Sequence, residues 1–435
     1  MNYRETIDFL YNSLPVFQNI GGAAYNGKLD KSDSLDEYLG FPHKKFMTIH
    51  VAGTNGKGSV SHMLTSILMK AGYKTGLYTS PHLYDFRERI RVNGEMISEN
   101  EVVEFVKRHW GKIEEIKPSF FEMTVFMAFD HFARHNVDIA VIEVGMGGRL
   151  DSTNVITPVL SVITNIGTDH TQFLGDTKTL IAGEKAGIIK NDVPVVIGET
   201  DTETAPVFIK KAGACGSEIV FADDRYTFSG GAAYENGQKI CVRRNSDGRE
   251  TEYELDLAGR YQRKNILTVL TAIDILREGP DILVPEEAVK EGLRTASGST
   301  GLYGRWQIRQ RHPTVICDTA HNKEGLSETM AQLGGGKYKK LYFILGVVND
   351  KELDGILPLF PKDAYYFFTQ ADIHRALDAE ELYSRASAYG LRGEVVLKVS
   401  DAVAAALKKA APDDFIYVGG STFVVAEVTP DLFSR

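Results

Sequence analysis

Only three cysteines, Cys215, Cys241 and Cys317, occur in 435 residues, with no metal-ligand spacing and no paired framework. A disulfide-stapled scaffold is therefore excluded. The usage fits a reducing compartment, with buried small hydrophobes as the ordinary role of each thiol. Basic charge is not in excess: 49 Lys and Arg against 58 Asp and Glu leave a net charge of -9. That argues against non-specific nucleic-acid binding as the main task. No apolar run reaches membrane-spanning length, and residues 1–6 lack the charged-then-apolar start of a signal peptide. The expectation is a cytoplasmic chain with neither a membrane nor a nucleic-acid partner. No repeat, low-complexity tract, basic tail or coiled coil is visible. The remaining composition, 43% hydrophobic and 25% charged, is that of an ordinary soluble globular protein. The length exceeds what one core of typical size fills, so two or three domains are expected.

What is present centres on His50-Val51-Ala52-Gly53-Thr54-Asn55-Gly56-Lys57-Gly58-Ser59-Val60. Residues 46–51 read as a short buried strand, and Val60, Leu64, Ile67 and Leu68 then recur at helical spacing. A glycine-rich turn between strand and helix lets backbone N–H groups and the helix N-terminus meet phosphate oxygens. Lys57 would add a point charge at the terminal phosphates. The fit to Gly-x-x-x-x-Gly-Lys-Ser/Thr is imperfect, because Val51 stands where glycine is wanted and Gly58 separates Lys57 from Ser59. A tight turn with an incidental lysine is the plainer alternative.

Around this turn the pattern is α/β. An amphipathic helix (Ile7, Leu10, Tyr11, Leu14) comes first, then a glycine- and alanine-rich loop at 21–27 that reads either as a lid or as a helix connection. A second strand at 74–78 ends in Thr79-Ser80-Pro81-His82-Leu83, a polar loop of the kind that binds ligands in open α/β sheets. Helices at about 99–110 and 120–135 precede the nearly continuous apolar strand 138–144, as expected for a parallel sheet covered on both faces. Glu143 interrupts it. A buried carboxylate needs a metal or an arginine nearby, so Glu143 reads as a Mg²⁺ ligand, with an ion pair to Arg149 as the alternative. The strand 158–163 leads to His170, which on its own is better explained as a hydrogen-bonded structural histidine than as a ligand. Lys185, in a short helix among small residues, reads from chemistry alone as a solvent-facing charge. After a strand at 193–197, residues 216–257 alternate with turn signals at 235–237 and 245–248 and read as antiparallel hairpins. The basic cluster at 260–264 opens an apolar helix, and either holds phosphate or is simply solvated.

Residues 296–304, rich in glycine and serine, read as the linker. A second α/β pattern follows, with strands at 315–318, 341–345, 364–368 and 415–418 separated by helices. The expected fold is thus α/β, in two domains. The larger, 1–297, is an N-terminal P-loop ATPase-type domain with a mostly parallel sheet plus a small antiparallel sheet. The smaller, 298–435, is a C-terminal Rossmann-like α/β domain. Both look self-sufficient, and a monomer is the default.

Taken together, the motifs resemble one family. Gly53-Thr54-Asn55-Gly56-Lys57-Gly58-Ser59 is similar to the phosphate loop of the Mur-type amide ligases, whose own spacing accounts for the irregularity. Thr79-Ser80-Pro81-His82-Leu83, Glu143-Val144-Gly145-Met146-Gly147-Gly148-Arg149-Leu150-Asp151, Asn165-Ile166-Gly167-Thr168-Asp169-His170, Glu184-Lys185-Ala186-Gly187-Ile188 and Asp318-Thr319-Ala320-His321-Asn322 narrow the resemblance to folylpolyglutamate synthase, often bifunctional with dihydrofolate synthase in bacteria. It covers nearly the whole chain in order. The resemblance implies an ATP-dependent ligase that phosphorylates a carboxylate of a pterin substrate and lets the amine of L-glutamate displace phosphate. It further implies that Asn55, Gly56, Lys57, Gly58 and Ser59 cradle ATP and that Asn265, Arg305 and Asp318 contact it. Ser80 and Glu143 would hold one Mg²⁺, with Glu143 and His170 helping to hold a second. Lys185 would be carbamylated, reversing the solvent-facing reading on family grounds. His321 would position the reacting groups or the adenosine side of the nucleotide, in a site between the domains. The loop at 17–25 departs from the Gly-Leu-(Glu/Asp)-Arg pattern usual before the phosphate loop, so no pterin contact is carried over there. Phe120-Phe121-Glu122-Met123 fits the family's Phe-Glu segment near the pterin, although a core helix explains the phenylalanines equally well.

Three other functions compete. A UDP-muramoyl amino-acid ligase would want a further N-terminal domain, whereas this sequence starts almost directly with the ATPase pattern. A nucleotide-driven switch would want a partner surface, for which the acidic chain offers no tail or coiled coil. A non-catalytic pterin-binding module would not need Lys57, Glu143 and His170 together.

Overall fold

The computed structural model describes residues 1–15, 28–349 and 353–433. The loops at 17–25 and 21–27, read above as a departure from the family pattern and as a lid or connection, lie outside the described residues. The chain divides into two compact units, one of residues 1–256 and 262–302, the other of residues 257–261 and 303–435.

The first unit is built on an eight-stranded sheet. Its strands are β1 (Met47–Ala52), β2 (Thr75–Tyr78), β3 (Ile90–Val92), β4 (Glu95–Met96), β5 (Ile139–Glu143), β6 (Leu160–Ile163), β7 (Val195–Ile197) and β8 (Ile219–Phe221), in the order β4-β3-β2-β5-β1-β6-β7-β8. The strands from β2 to β8 run parallel, and β3 and β4 add an antiparallel edge. Strands β2, β5 and β6 are buried along their whole length, which is why they read as unbroken apolar runs. A separate antiparallel sheet follows, made of β9 (Tyr226–Tyr234), β10 (Gly237–Arg244) and β11 (Glu250–Leu255). The hairpin reading of 216–257 therefore needs correction at its start. Ile219, Val220 and Phe221 pair in parallel with β7, and a three-residue run carries too little periodicity to reveal that from sequence.

The helix after the phosphate turn, Lys57–Lys70, is buried from Gly58 through Leu68. It has no solvent face because other helices cover the side away from the sheet. A Cβ on Gly292 would lie 2.5 Å from the Ile67 Cα, so glycine there permits the closest helix approach. The stretch read as a linker is part of this packing: Ala296–Thr300 is a short helix ended by Gly301 at φ 70. The Ser299 and Ser66 hydroxyls lie 2.8 Å apart, and Thr300 Oγ1 lies 2.7 Å from His62 Nδ1. Its small polar residues serve close contact, and composition alone does not separate that from flexibility.

The second unit holds a six-stranded sheet of β12 (Gln307–Arg311), β13 (Thr314–Cys317), β14 (Leu341–Leu345), β15 (Tyr365–Gln370), β16 (Arg392–Lys398) and β17 (Phe415–Gly419), ordered β12-β13-β17-β14-β15-β16. Only the β12–β13 pair is antiparallel. The two edge strands, β12 and β16, escaped the sequence reading because neither is buried along its length. Phe343 sits at the centre of this core, stacked on Tyr366 with ring centroids 4.9 Å apart. Replacing Phe343 by Ala is expected to cost about 3–5 kcal/mol of this unit's stability. Urea unfolding followed by a probe in the second unit measures it, and a loss below about 1 kcal/mol would contradict this assignment of the core.

Candidate functional site

Strand order brings four loops of the first unit side by side. Neighbours β2, β5, β1 and β6 are parallel, so the loops after Tyr78, Glu143, Ala52 and Ile163 all leave at the carboxyl edge. That edge is where open α/β sheets bind ligands. Val51 is in register with Glu143, so the acidic residue lies one strand over from the start of the phosphate turn.

The turn itself is held by the loop after β6. Gly53 adopts φ 144, and a Cβ there would fall 1.9 Å from Thr164 Oγ1. Thr164 Oγ1 donates to the Asn55 carbonyl (2.5 Å), and Asn55 N–H donates to Asn165 Oδ1 (2.9 Å). Thr54 N–H donates to the Asn165 carbonyl at 2.9 Å, and Thr54 Oγ1 lies between the Gly167 N–H (3.0 Å) and carbonyl (3.1 Å). Gly56, at φ 86, caps the helix, and a Cβ on it would meet Asn265 Oδ1 at 2.4 Å. Asn265 is fixed in turn: its Nδ2 donates to Gln262 Oε1 (2.7 Å), while Gln262 Nε2 donates to Ser59 Oγ (3.0 Å). Asn55, Gly56, Lys57, Gly58, Ser59 and Asn265 are thus brought together in one cradle. Gln262, read only as part of a basic cluster, is the link that sequence missed.

Two amino groups converge beneath the turn. Lys57 Nζ donates to the carbonyls of Gly53 (3.1 Å) and Thr54 (3.2 Å), and Lys185 Nζ donates to the same Gly53 carbonyl at 2.9 Å. Lys185 is only 4% exposed, so the solvent-facing reading fails. It sits at the end of a helix, Lys178–Lys185, whose inner face packs under the sheet edge. Burial and then the neighbouring Lys57 charge push its pKa down to about 7, against opposing pulls from Asp169 and Asp151. Near neutrality a substantial share of the amine, about half, is therefore in its neutral, nucleophilic form.

Glu143 is buried at 4% exposure, and its Oε2 accepts the Ser80 N–H at 3.1 Å. Ser80 and Glu143 are thereby neighbours. The alternative partner for Glu143, Arg149, instead pairs with Glu184 (2.8 Å) on the protein surface. His170 begins the short helix Thr171–Leu174 in a left-handed conformation, φ 52, and its N–H donates to Asp169 Oδ1 at 2.9 Å. The glycine-rich loop after Glu143 is pinned by Asp151, which accepts from Met146 N–H (2.9 Å) and from the N–H and hydroxyl of Thr153 (3.0 and 2.5 Å). Burial raises the Asp151 pKa although these bonds oppose it. The signal for that role was the aspartate ending a glycine run, where it caps the turn Ser152–Val155.

In the second unit, Asp318 ends β13 and is 2% exposed. Its Oδ2 accepts from the Tyr261 hydroxyl (2.8 Å) and Trp306 N–H (2.7 Å), and its Oδ1 from Ala320 N–H (2.8 Å). Burial lifts its pKa against these bonds and the Arg305 charge. Arg305 donates to Thr319 Oγ1. His321 Nδ1 donates to the Thr319 carbonyl at 2.9 Å, which fixes the ring. Asp318, Arg305 and His321 therefore share one loop cluster, anchored by Tyr261.

A strand-ended phosphate turn, a carboxylate at the next strand end and a separate mixed-sheet unit define a ligase of the phosphate-loop class. Residues 51–273 match the Mur ligase middle domain, and residues 304–422 match the Mur ligase glutamate ligase domain. The chain belongs to the Mur ligase family, in its branch of folylpolyglutamate and dihydrofolate synthases. The dihydrofolate synthase/folylpolyglutamate synthase of Bacillus subtilis is 36% identical over 82% of this chain and 84% of that protein. Its Escherichia coli namesake is 32% identical over 97% of this chain and 95% of that protein. A probable bifunctional folylpolyglutamate synthase/dihydropteroate synthase of Haloferax volcanii is 34% identical over 98% of this chain, which spans only 50% of that relative. Among solved structures, Mycobacterium tuberculosis folylpolyglutamate synthase complexed with ADP aligns with TM-score 0.87 and 29% identity, covering 100% of this chain and 98% of the other. E. coli FolC in complex with DHPP and ADP aligns with TM-score 0.84 and 27% identity at the same coverage. Among the described residues no helix is long and apolar enough to cross a membrane.

The Lys185 environment makes a pH prediction with a definite sign. Its folded pKa of about 7 lies below the ordinary 10.5, so between these values the unfolded chain carries the extra proton. Stability therefore rises with pH through that window, by at most ~1.36 kcal/mol per pH unit, and the gain is absent below it. Denaturant unfolding in CO₂-free buffer should show this slope in the parent and not in Lys185→Met; parallel profiles would contradict it.

Proposed function

We propose that the protein uses ATP to join L-glutamate to the carboxylate of dihydropteroate, to the glutamate tail of a reduced folate, or to both. The observation that carries this reading is the near full-length similarity to dihydrofolate synthase/folylpolyglutamate synthase of E. coli, which spans both units. A carboxylate is a poor electrophile because its leaving group would be oxide. Transfer of the γ-phosphoryl group to one carboxylate oxygen gives an acyl phosphate and releases ADP. The glutamate amine then attacks the carbonyl carbon, losing a proton, and phosphate leaves with that oxygen.

The chain's own groups divide this work. The N–H groups from Gly56 to Ser59, next to Asn55, and the helix they open receive the phosphates, and Lys57 balances their charge. Asn265 and Gln262 hold the turn in the shape that the phosphates need. Arg305, Asp318 and His321 are proposed to contact the nucleotide and orient the reacting groups from their shared loop cluster. Ser80 and Glu143 offer hard oxygen donors suited to Mg²⁺, with Glu143 already buried as an anion site, and His170 is the proposed further ligand toward a second ion. When bound, Mg²⁺ neutralises phosphate charge during transfer. Lys185 is proposed to be carbamylated: its neutral nitrogen bonds to CO₂ carbon, a proton leaves to solvent, and the buried neutral amine becomes an anion. The depressed pKa and the competition with Lys57 for one carbonyl support that reading. We take the protein to act as a cytoplasmic monomer on small-molecule substrates.

ADP formation measured with dihydropteroate or tetrahydrofolate, with and without L-glutamate, tests the assignment. Turnover should require both acceptor and glutamate, and Lys57→Ala should lower kcat by about 10²–10³. Undiminished turnover in Lys57→Ala, or ADP release indifferent to glutamate, would overturn it.

A further inference from the structure

Away from the phosphate loop, Glu101, His131 and His135 bring three ligand atoms within 4.8 Å of one another. We propose that they form a binding site for a divalent transition-metal ion of the zinc class. Glu101 lies in the first turn of the helix Glu99–Ile116. His131 lies near the end of the helix Phe120–Arg134, and His135 is its C-cap. The His135 N–H still bonds the His131 carbonyl at 3.0 Å, so the two imidazoles keep the spacing of one helical turn and face the same way. Their ring centroids are 4.2 Å apart.

Both rings turn a nitrogen to the same carboxylate oxygen. Glu101 Oε1 is 2.6 Å from His135 Nε2 and 3.4 Å from His131 Nδ1. Two ligands bound to one tetrahedral zinc at ordinary bond lengths lie about 3.3 Å apart. The His131–Glu101 spacing already meets that, and His135 must withdraw by about 0.7 Å, an easy rotation for a ring that is 39% exposed. The other carboxylate oxygen is held by Ser98, whose hydroxyl donates at 2.7 Å and backbone N–H at 3.2 Å. A fixed second oxygen aims the first, as outer-shell partners of metal sites do. Burial keeps His131 neutral, with its pKa pushed down to about 4. Two imidazoles and one carboxylate favour Zn²⁺, Co²⁺ or Ni²⁺ over Mg²⁺ or Ca²⁺. The exposed side of His135 gives the ion an entry path and leaves room for a water ligand. The ion would clip the first turn of one helix to the end of another, immediately before β5, the strand that carries Glu143.

The test uses the full chain, stripped of metal by chelator and kept in excess Mg²⁺ without nucleotide, so it is independent of the ligase reading. Titration with Co²⁺ should give one equivalent with the visible absorption of a four- or five-coordinate ion, displaced by Zn²⁺. Ser98→Ala should weaken binding about 10-fold, and Glu101→Gln and His135→Gln should weaken it further. His135 is partly exposed, so His135→Gln keeps the comparison readable in a folded protein. Absence of a saturable Co²⁺ signal, or one that survives unchanged in Glu101→Gln and His135→Gln, would overturn the proposal.

Discussion

The first unit depends on one clamp, the pair of loops that follow β1 and β6. Thr164 fills the space that any side chain on Gly53 would need, and it also holds the Asn55 carbonyl. Asn165 takes the amide of Asn55 through its side chain and that of Thr54 through its carbonyl. Backbone groups that would otherwise be orphaned are thereby satisfied before any ligand arrives. Asn265 closes the other side against Gly56. The two glycines are required for a specific reason, since each has positive φ and a neighbour's polar atom where a Cβ would stand.

The clamp also decides where charge is placed. It turns the Gly53 carbonyl toward two lysines, and the second is buried where a permanent cation is costly. The site thus sets two amino groups around one carbonyl, and burial makes the charge of Lys185 adjustable. Glu143, one strand away in register with Val51, is the buried carboxyl group on the same edge. An acidic protein that handles anionic substrates has to concentrate opposite charge in this local way, because its net charge gives no attraction.

Much of this was legible in the sequence. The phosphate turn, the apolar strands flanking it and the interrupting Glu143 all follow from local pattern, because parallel strands buried on both faces leave unbroken apolar runs. The Mur-type resemblance supplied the spacing that a general phosphate-loop pattern lacks. Other features depend on contacts between distant segments and were not legible. From chemistry alone Lys185 read as solvent-facing, because its helix is short and its neighbours small; the resemblance reversed that reading, and only the fold places it under Gly53. Residues 296–304 do contain the break between the units, after Leu302, but serine and glycine signal both flexibility and close packing, so the short helix Ala296–Thr300 was not legible. The edge strands β12 and β16 have no continuous apolar signal. His131 and His135 were not singled out in the sequence, although they lie one helical turn apart, because Glu101 lies on another helix and carries no local mark.

Activation of the acceptor's carboxylate by phosphoryl transfer at the phosphate loop is the step on which the proposed reaction rests. It is tested most directly by running the reaction with an acceptor whose reacting carboxylate carries ¹⁸O at both oxygens, and analysing the inorganic phosphate by mass spectrometry. One ¹⁸O is expected in each phosphate released and one retained in the new amide. Unlabelled phosphate accompanying amide formation would contradict it.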